Sequence, residues 1–129
     1  MGAEPSRAGQ FSSPDALLTP GYIAEAAADP GIRIEPAWKV SIVYAMPCAI
    51  YHMLPPSYYL AARFPDDFES AVLHAINGGG QNQARAMLTG ALSGAQVGLS
   101  GIPARFLEGL EKGAELTALA NQLATAAAG

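Results

Sequence analysis

The sequence predicts an all-α fold, a compact helical bundle, on three observations. Half of its 129 residues are hydrophobic and only 14% are charged, and much of the apolar share is alanine, which favours helices and lets them pack closely. Apolar residues recur at intervals of three and four along most of the chain, the spacing of one buried helical face. Nothing alternates strongly enough for a strand, and no repeat of solenoid period is visible. The length suits a single domain with one core.

Residues 1–14, rich in Gly, Ser and Pro, have little to bury and are expected to form a mobile tail, leaving one helical domain over residues 15–129. Short helices are expected at residues 15–18 and 22–28, with Pro20-Gly21 and Pro30-Gly31 acting as breakers. Trp38, Ile42, Ala45, Met46, Ala49 and Met53 repeat at helical spacing, while Val43, Tyr44, Ile50 and Tyr51 fill much of the other side, so this segment reads as a buried helix. Pro47 has no N–H and clashes with the preceding turn, which predicts a kink or break between Val43 and Pro47. Pro55-Pro56 should end the segment, and residues 57–64 read as a separate short helix. Asp66 then makes an N-cap, and Glu69 three residues later completes the pattern of a capping box.

The helix so capped carries Phe68, Ala71, Val72, Ala75 and Ile76 on one face and ends at Asn77. Gly78, Gly79 and Gly80 follow, able to take positive φ and bring bare backbone close to a ligand, and a second helix aims its unpaired N–H groups back at them. That is the geometry of an anion cradle, and equally that of a tight link between two packed helices. In the second helix Gly90, Gly94 and Gly98 recur every four residues at ~1 kcal/mol each relative to alanine, which predicts close approach of a neighbouring helix and a central place in the fold. Ser100-Gly101 breaks the chain and Pro103 opens a helix with Phe106, Leu107 and Leu110 inward, closed by Gly113. Leu116, Leu119, Ala120, Leu123 and Ala127 form a last amphipathic helix with a fraying alanine-rich end.

The run from Asn77 through the glycines to Gly90-Ala91-Leu92-Ser93-Gly94-Ala95 resembles the C-terminal half of the ADP-ribosylglycohydrolase family. The likeness continues through Leu99, Ser100, Gly101, Ile102 and Pro103 and from Phe106 to Leu110, and more loosely back to Trp38, covering a little over half of the chain. It implies a helical fold, hydrolysis of ADP-ribose N- or O-glycosidic bonds, and a pair of magnesium ions held by a Gly-Gly-Asp-x-Asp turn. Here Gln81 and Gln83 stand at the two acidic positions, and the family's earlier Gly-Asp and Thr-Asp-Asp ligand motifs have no counterpart. The resemblance thus covers the C-terminal part of the family only. It implies either a segment of a hydrolase that is incomplete or inactive alone, or a non-catalytic binding or structural relative, for which some lens crystallins are the precedent.

The candidate ligand-binding residues are Gly78, Gly79, Gly80, Gln81, Asn82, Gln83 and Arg85. Neutral amides can hydrogen-bond a ribose hydroxyl or phosphate oxygen but are poor ligands for hard cations, so no metal and no cofactor are expected. Asn82 can alternatively cap the second helix. Arg85, a cation where the helix dipole disfavours one, can pair with a phosphate or with Asp66, Asp67 or Glu69. His52 and His74 have no ligand-spaced companions and read as ordinary hydrogen-bonded histidines. Cys48, among Met46, Ala49 and Ile50, reads as a small buried hydrophobe. Nucleophile-elbow, Cys–His and P-loop patterns are absent from the sequence.

A net charge of −4 offers no basic footprint for nucleic acid or an anionic membrane surface. No stretch resembles a signal peptide or a membrane span, so a cytoplasmic location is expected. The expected partners are an ADP-ribose-type small molecule and either a complementary N-terminal half or a second copy of the chain, because a part of a larger bundle leaves apolar surface uncovered.

Overall fold

The computed structural model describes residues 20–129, which form seven α-helices and two 3₁₀ turns and no strand. The helices are α1 (Pro20–Ala28), α2 (Val40–Val43), α3 (Ile50–Arg63), α4 (Phe68–Asn77), α5 (Asn82–Val97), α6 (Ala104–Glu108) and α7 (Gly113–Ala128). The all-α class expected from the sequence is what is found. The expected tail over residues 1–14 and the helix at residues 15–18 lie outside the described residues.

α5 is central, packing on both α3 and α4, and α1 packs on α3. Ile23 and Ala27 of α1 join Ala37, Val40, Tyr59, Leu60 and Ala75 in the core. The Tyr59 hydroxyl accepts a hydrogen bond from the Ile34 amide (2.7 Å), tying the connection after α1 onto α3.

The break expected before Pro47 occurs: the chain leaves α2 at Val43 and resumes helix at Ile50. The rest of that segment is not buried all round, since Ile42, Val43, Ile50 and Tyr51 are each more than half exposed. Cys48, expected inside, is exposed as well, because it falls in the connection and not in a helix. Pro20-Gly21 opens α1 where a breaker was expected; a proline has no donor to lose in a first turn.

Pro55 and Pro56 do not end a helix but lie inside α3, both fully buried. Two lost amide donors are offset here by the burial of two pyrrolidine rings, and the Ser57 hydroxyl adds a bond to the Met53 carbonyl (2.8 Å). The cap of α4 is one residue later than expected: Asp67 accepts from the Ser70 amide (2.9 Å), and Glu69 pairs with Arg105 in place of closing a capping box. Gly113 likewise starts α7, whereas α6 ends at Glu108. α7 has no buried residue, and Leu116, Leu119 and Leu123 on its apolar face are exposed among the described residues.

Candidate functional site

The link from α4 to α5 has the conformation its glycines predict at two of three positions. Gly79 and Gly80 have φ of 71° and 60°, while Gly78 stays helical and is required for a different reason. A Cβ on Gly78 would stand 2.2 Å from the Ser41 hydroxyl oxygen and 2.8 Å from an Arg85 nitrogen. A Cβ on Gly80 would stand 2.4 Å from the Cβ of Met46. The turn is therefore pressed between Arg85 below and the connection after α2 beside it.

Arg85 corrects one expectation. Its side chain does not reach outward toward a ligand and does not pair with Asp66, Asp67 or Glu69; it is fully buried under the turn. Nε donates to the Ala75 carbonyl (3.0 Å) and a terminal nitrogen donates to the Gly79 carbonyl (2.5 Å). The reason is electrostatic: the charge that the N-terminus of α5 disfavours is placed on the C-terminal carbonyls of α4, the negative end of that helix. Burial pulls the guanidinium below its usual pKa, yet an arginine remains charged at any ordinary pH. Its other terminal nitrogen, like the Ser41 hydroxyl, is buried with no hydrogen-bond partner among the described residues.

Asn82 works in the same sense. Its amide donates back to the Ile76 carbonyl (3.3 Å) and not to the start of its own helix, so the expected N-cap is a C-cap of α4. Gln81 occupies the N-cap position with no side-chain cap. Gln81, Gln83 and Gly80 are exposed, so the upper surface of the turn consists of two amides and bare backbone at the N-terminal end of α5.

Of the two histidines expected to be hydrogen-bonded, His52 is, whereas His74 Nδ1 is buried with no hydrogen-bond partner among the described residues. His52 Nδ1 lies 2.6 Å from the Tyr44 carbonyl, an oxygen that only accepts, so Nδ1 carries the proton and ties α3 to the connection beside the turn. His74 stacks on Phe64 with centroids 4.9 Å apart and planes 9° from parallel.

Three features were missed in the sequence. Ser41 and Met46 form the walls of the turn, although both sit in a segment whose apolar repeat hides their role. The buried face of α5 is polar, formed by Arg85, Thr89 and Ser93 at a four-residue spacing, with the Thr89 hydroxyl donating to the Arg85 carbonyl (2.8 Å). That spacing was visible, but the parallel glycine repeat drew the reading one residue around the helix. A Cβ on Gly90 or Gly94 would meet Val72, Phe68 and Ile102 at ordinary contact distances of 3.8–4.0 Å, whereas Gly98 is the C-cap of α5 with φ of 70°.

The sequence profile of the ADP-ribosylglycohydrolase family matches residues 10–129. The chain belongs to that family. No curated protein matches it, and no solved structure does. The magnesium pair implied for the family's turn does not fit the residues present here. The donors at positions 81 and 83 are amides, and the acidic residues nearest in sequence, Asp66, Asp67 and Glu69, sit at the opposite end of α4, where Asp67 caps that helix and Glu69 pairs with Arg105. Among the described residues no three His, Cys, Asp or Glu side chains gather into a metal-sized group. No helix among them is long and apolar enough to cross a membrane.

Proposed function

We propose that this family member is a non-catalytic module that binds an ADP-ribose-type ligand weakly and without metal at the exposed surface of residues 78–83. The observation that carries the reading is a turn braced from beneath by Arg85 and Asn82, with neutral amides at both positions where the family resemblance implies carboxylates. Backbone N–H groups at the start of α5 and the positive end of its dipole suit a pyrophosphate, while the Gln81 and Gln83 amides suit ribose hydroxyls. Arg85 contributes indirectly, by holding the loop in shape. Hydrolysis is not assigned to this chain alone, since Gln81 and Gln83 stand where the family resemblance implies carboxylates.

The test is an NMR titration of the chain with ADP-ribose. Shifts at Gly79, Gly80, Gln81, Asn82 and Gln83 are expected at about millimolar ligand, the affinity of one or two charge-assisted contacts. They should weaken with salt and be indifferent to magnesium or a chelator. Gln81→Asp should weaken binding by repelling phosphate, whereas Arg63→Ala, away from the turn on Glu35, should not. Absence of shifts at millimolar ligand, a micromolar magnesium site by calorimetry, or turnover of an ADP-ribosylated substrate would each overturn the reading.

A further inference from the structure

Two fully buried polar side chains meet beneath the turn with donors left over. Arg85 uses Nε on the Ala75 carbonyl and Nη2 on the Gly79 carbonyl, while Nη1 is buried with no hydrogen-bond partner among the described residues. The Ser41 hydroxyl is buried and unpartnered in the same sense. Both side chains stand against Gly78, where an added Cβ would land on the Ser41 oxygen and on Nη2. Folded proteins rarely leave a buried donor without an acceptor, so these two mark a place for an acceptor that the described residues do not supply.

The acceptor that fits this place is negative. Among the described residues the ion pairs belong to Arg33, Arg63 and Arg105, and burial lowers the pKa of Arg85 with no neighbouring charge set against it. α5 begins beside it with no acidic residue in its first turn and no side-chain cap, so the positive end of that helix adds to the same field. The two carbonyls on Arg85 carry only the partial charge of a helix end, which answers a whole positive charge in part. A water would fill the missing hydrogen bonds and leave the charge; a monovalent anion answers both. Its size is bounded as well, because Ser41, Gly78 and Arg85 are all buried. A closed setting of this kind suits a single-atom anion and excludes a phosphate ester, whose remaining groups would need a way out.

We propose that a halide ion is held beneath the glycine turn by Nη1 of Arg85 and the hydroxyl of Ser41. Arg85 then has an acceptor for its last nitrogen and a counter-charge, and Ser41 has an acceptor for its proton. The site lies under the turn and apart from the exposed surface of residues 78–83, so it does not rest on the ligand reading given above. Because the two donors are brought together only by folding, the ion binds the folded chain and is released on unfolding, and stability rises with halide by mass action.

Urea unfolding of the whole chain, with no nucleotide present and sodium bromide exchanged for sodium gluconate at constant ionic strength, tests this. Bromide should lower the unfolding equilibrium constant about tenfold by about 100 mM, as a site with a dissociation constant of about 10 mM does. Arg85→Met should abolish the response and Ser41→Ala should weaken it severalfold, whereas Arg63→Ala, which removes a partner of Glu35, should leave it intact. A crystal grown in bromide should show anomalous scattering beside Nη1 and the Ser41 oxygen, and with Ser41→Ala it decides the matter if Arg85→Met does not fold. No gain in bromide over gluconate, a gain that persists in Arg85→Met or is unchanged in Ser41→Ala, or an ordered water in place of the anomalous peak would each overturn the inference.

Discussion

The α4–turn–α5 unit and the C-terminal α6–α7 unit belong to one short chain but obey different rules. In the first, α4 ends on carbonyls that Arg85 and Asn82 satisfy, and the glycines leave room for Ser41, Met46 and Arg85 against the turn. In the second, α6 is held to α4 by Phe106 on Phe68 and by Arg105 on Glu69, while α7 buries no residue. A sequence-periodic apolar face therefore reports what a helix is able to bury, while the partner that covers it is decided elsewhere. The difference separates a turn braced from beneath from a leucine face left exposed.

The largest effect should come from breaking the first unit. Arg85→Ala removes two charge-assisted bonds and leaves a hole beneath the turn, and should cost about 3 kcal/mol or more in urea unfolding. This replaces the simpler expectation of a ligand-contact residue that can be removed with the fold intact. Arg85→Met should cost less, because it fills the hole and relieves a buried charge that has no carboxylate beside it. Equal losses for the two variants would mean that the hydrogen bonds alone matter.

Gly78→Ala comes next, at about 1–3 kcal/mol, because the added carbon lands on Ser41 and Arg85. Gly90→Ala should go the other way, stabilising by up to ~1 kcal/mol, since its Cβ meets only ordinary contacts and the helix gains propensity. Gly94→Leu should still overpack against Phe68 and Ile102. Thermal midpoints of the three variants discriminate a pinched glycine from a merely small one.

Asp67 sharpens the contrast with pH. The Ser70 hydroxyl and amide bonds hold its carboxyl below the ordinary value, so its contribution is present above the unfolded-state pKa of about 3.9 and is lost as pH falls through the lower folded value. At neutral pH Asp67→Ala should cost about 1 kcal/mol, the usual worth of an N-cap, and the gap to the unaltered chain should close in acid. A constant gap from pH 7 to pH 2 would show that the cap is not the source.

Much of this architecture was legible because it rests on local rules. The end of α4 at Asn77, the break before Pro47 and the positive φ of Gly79 and Gly80 follow from the glycine run, ring geometry and the absence of a Cβ, while the cap of α4 falls one residue later than expected. Where reading failed, a tertiary contact outvoted the local rule. Pro55-Pro56 are tolerated in mid-helix because their rings are buried, and Arg85 turns inward because the end of another helix needs a cation. Spacing alone does not reveal that the carbonyls beneath the Arg85 side chain are those of Ala75 and Gly79. Ile42 and Ile50 look like core for the same reason that Leu119 does: their periodicity is genuine and their partner is not in the described residues.

The smallest effect belongs to α7, and its smallness is informative. At 73% exposure Leu123 has little to lose on truncation in an isolated chain, so Leu123→Ala should shift stability by less than ~0.5 kcal/mol in dilute solution, where alanine's helix propensity also offsets the change. If the leucine ridge is covered by a second copy, the same variant measured at high protein concentration should lose stability, because the dimer contributes by mass action only when it is populated. Melting both proteins over a hundredfold concentration range separates the cases. Parallel curves would leave α7 an unsupported helix at every concentration; curves that meet on dilution and part at high concentration would place its three leucines against a partner.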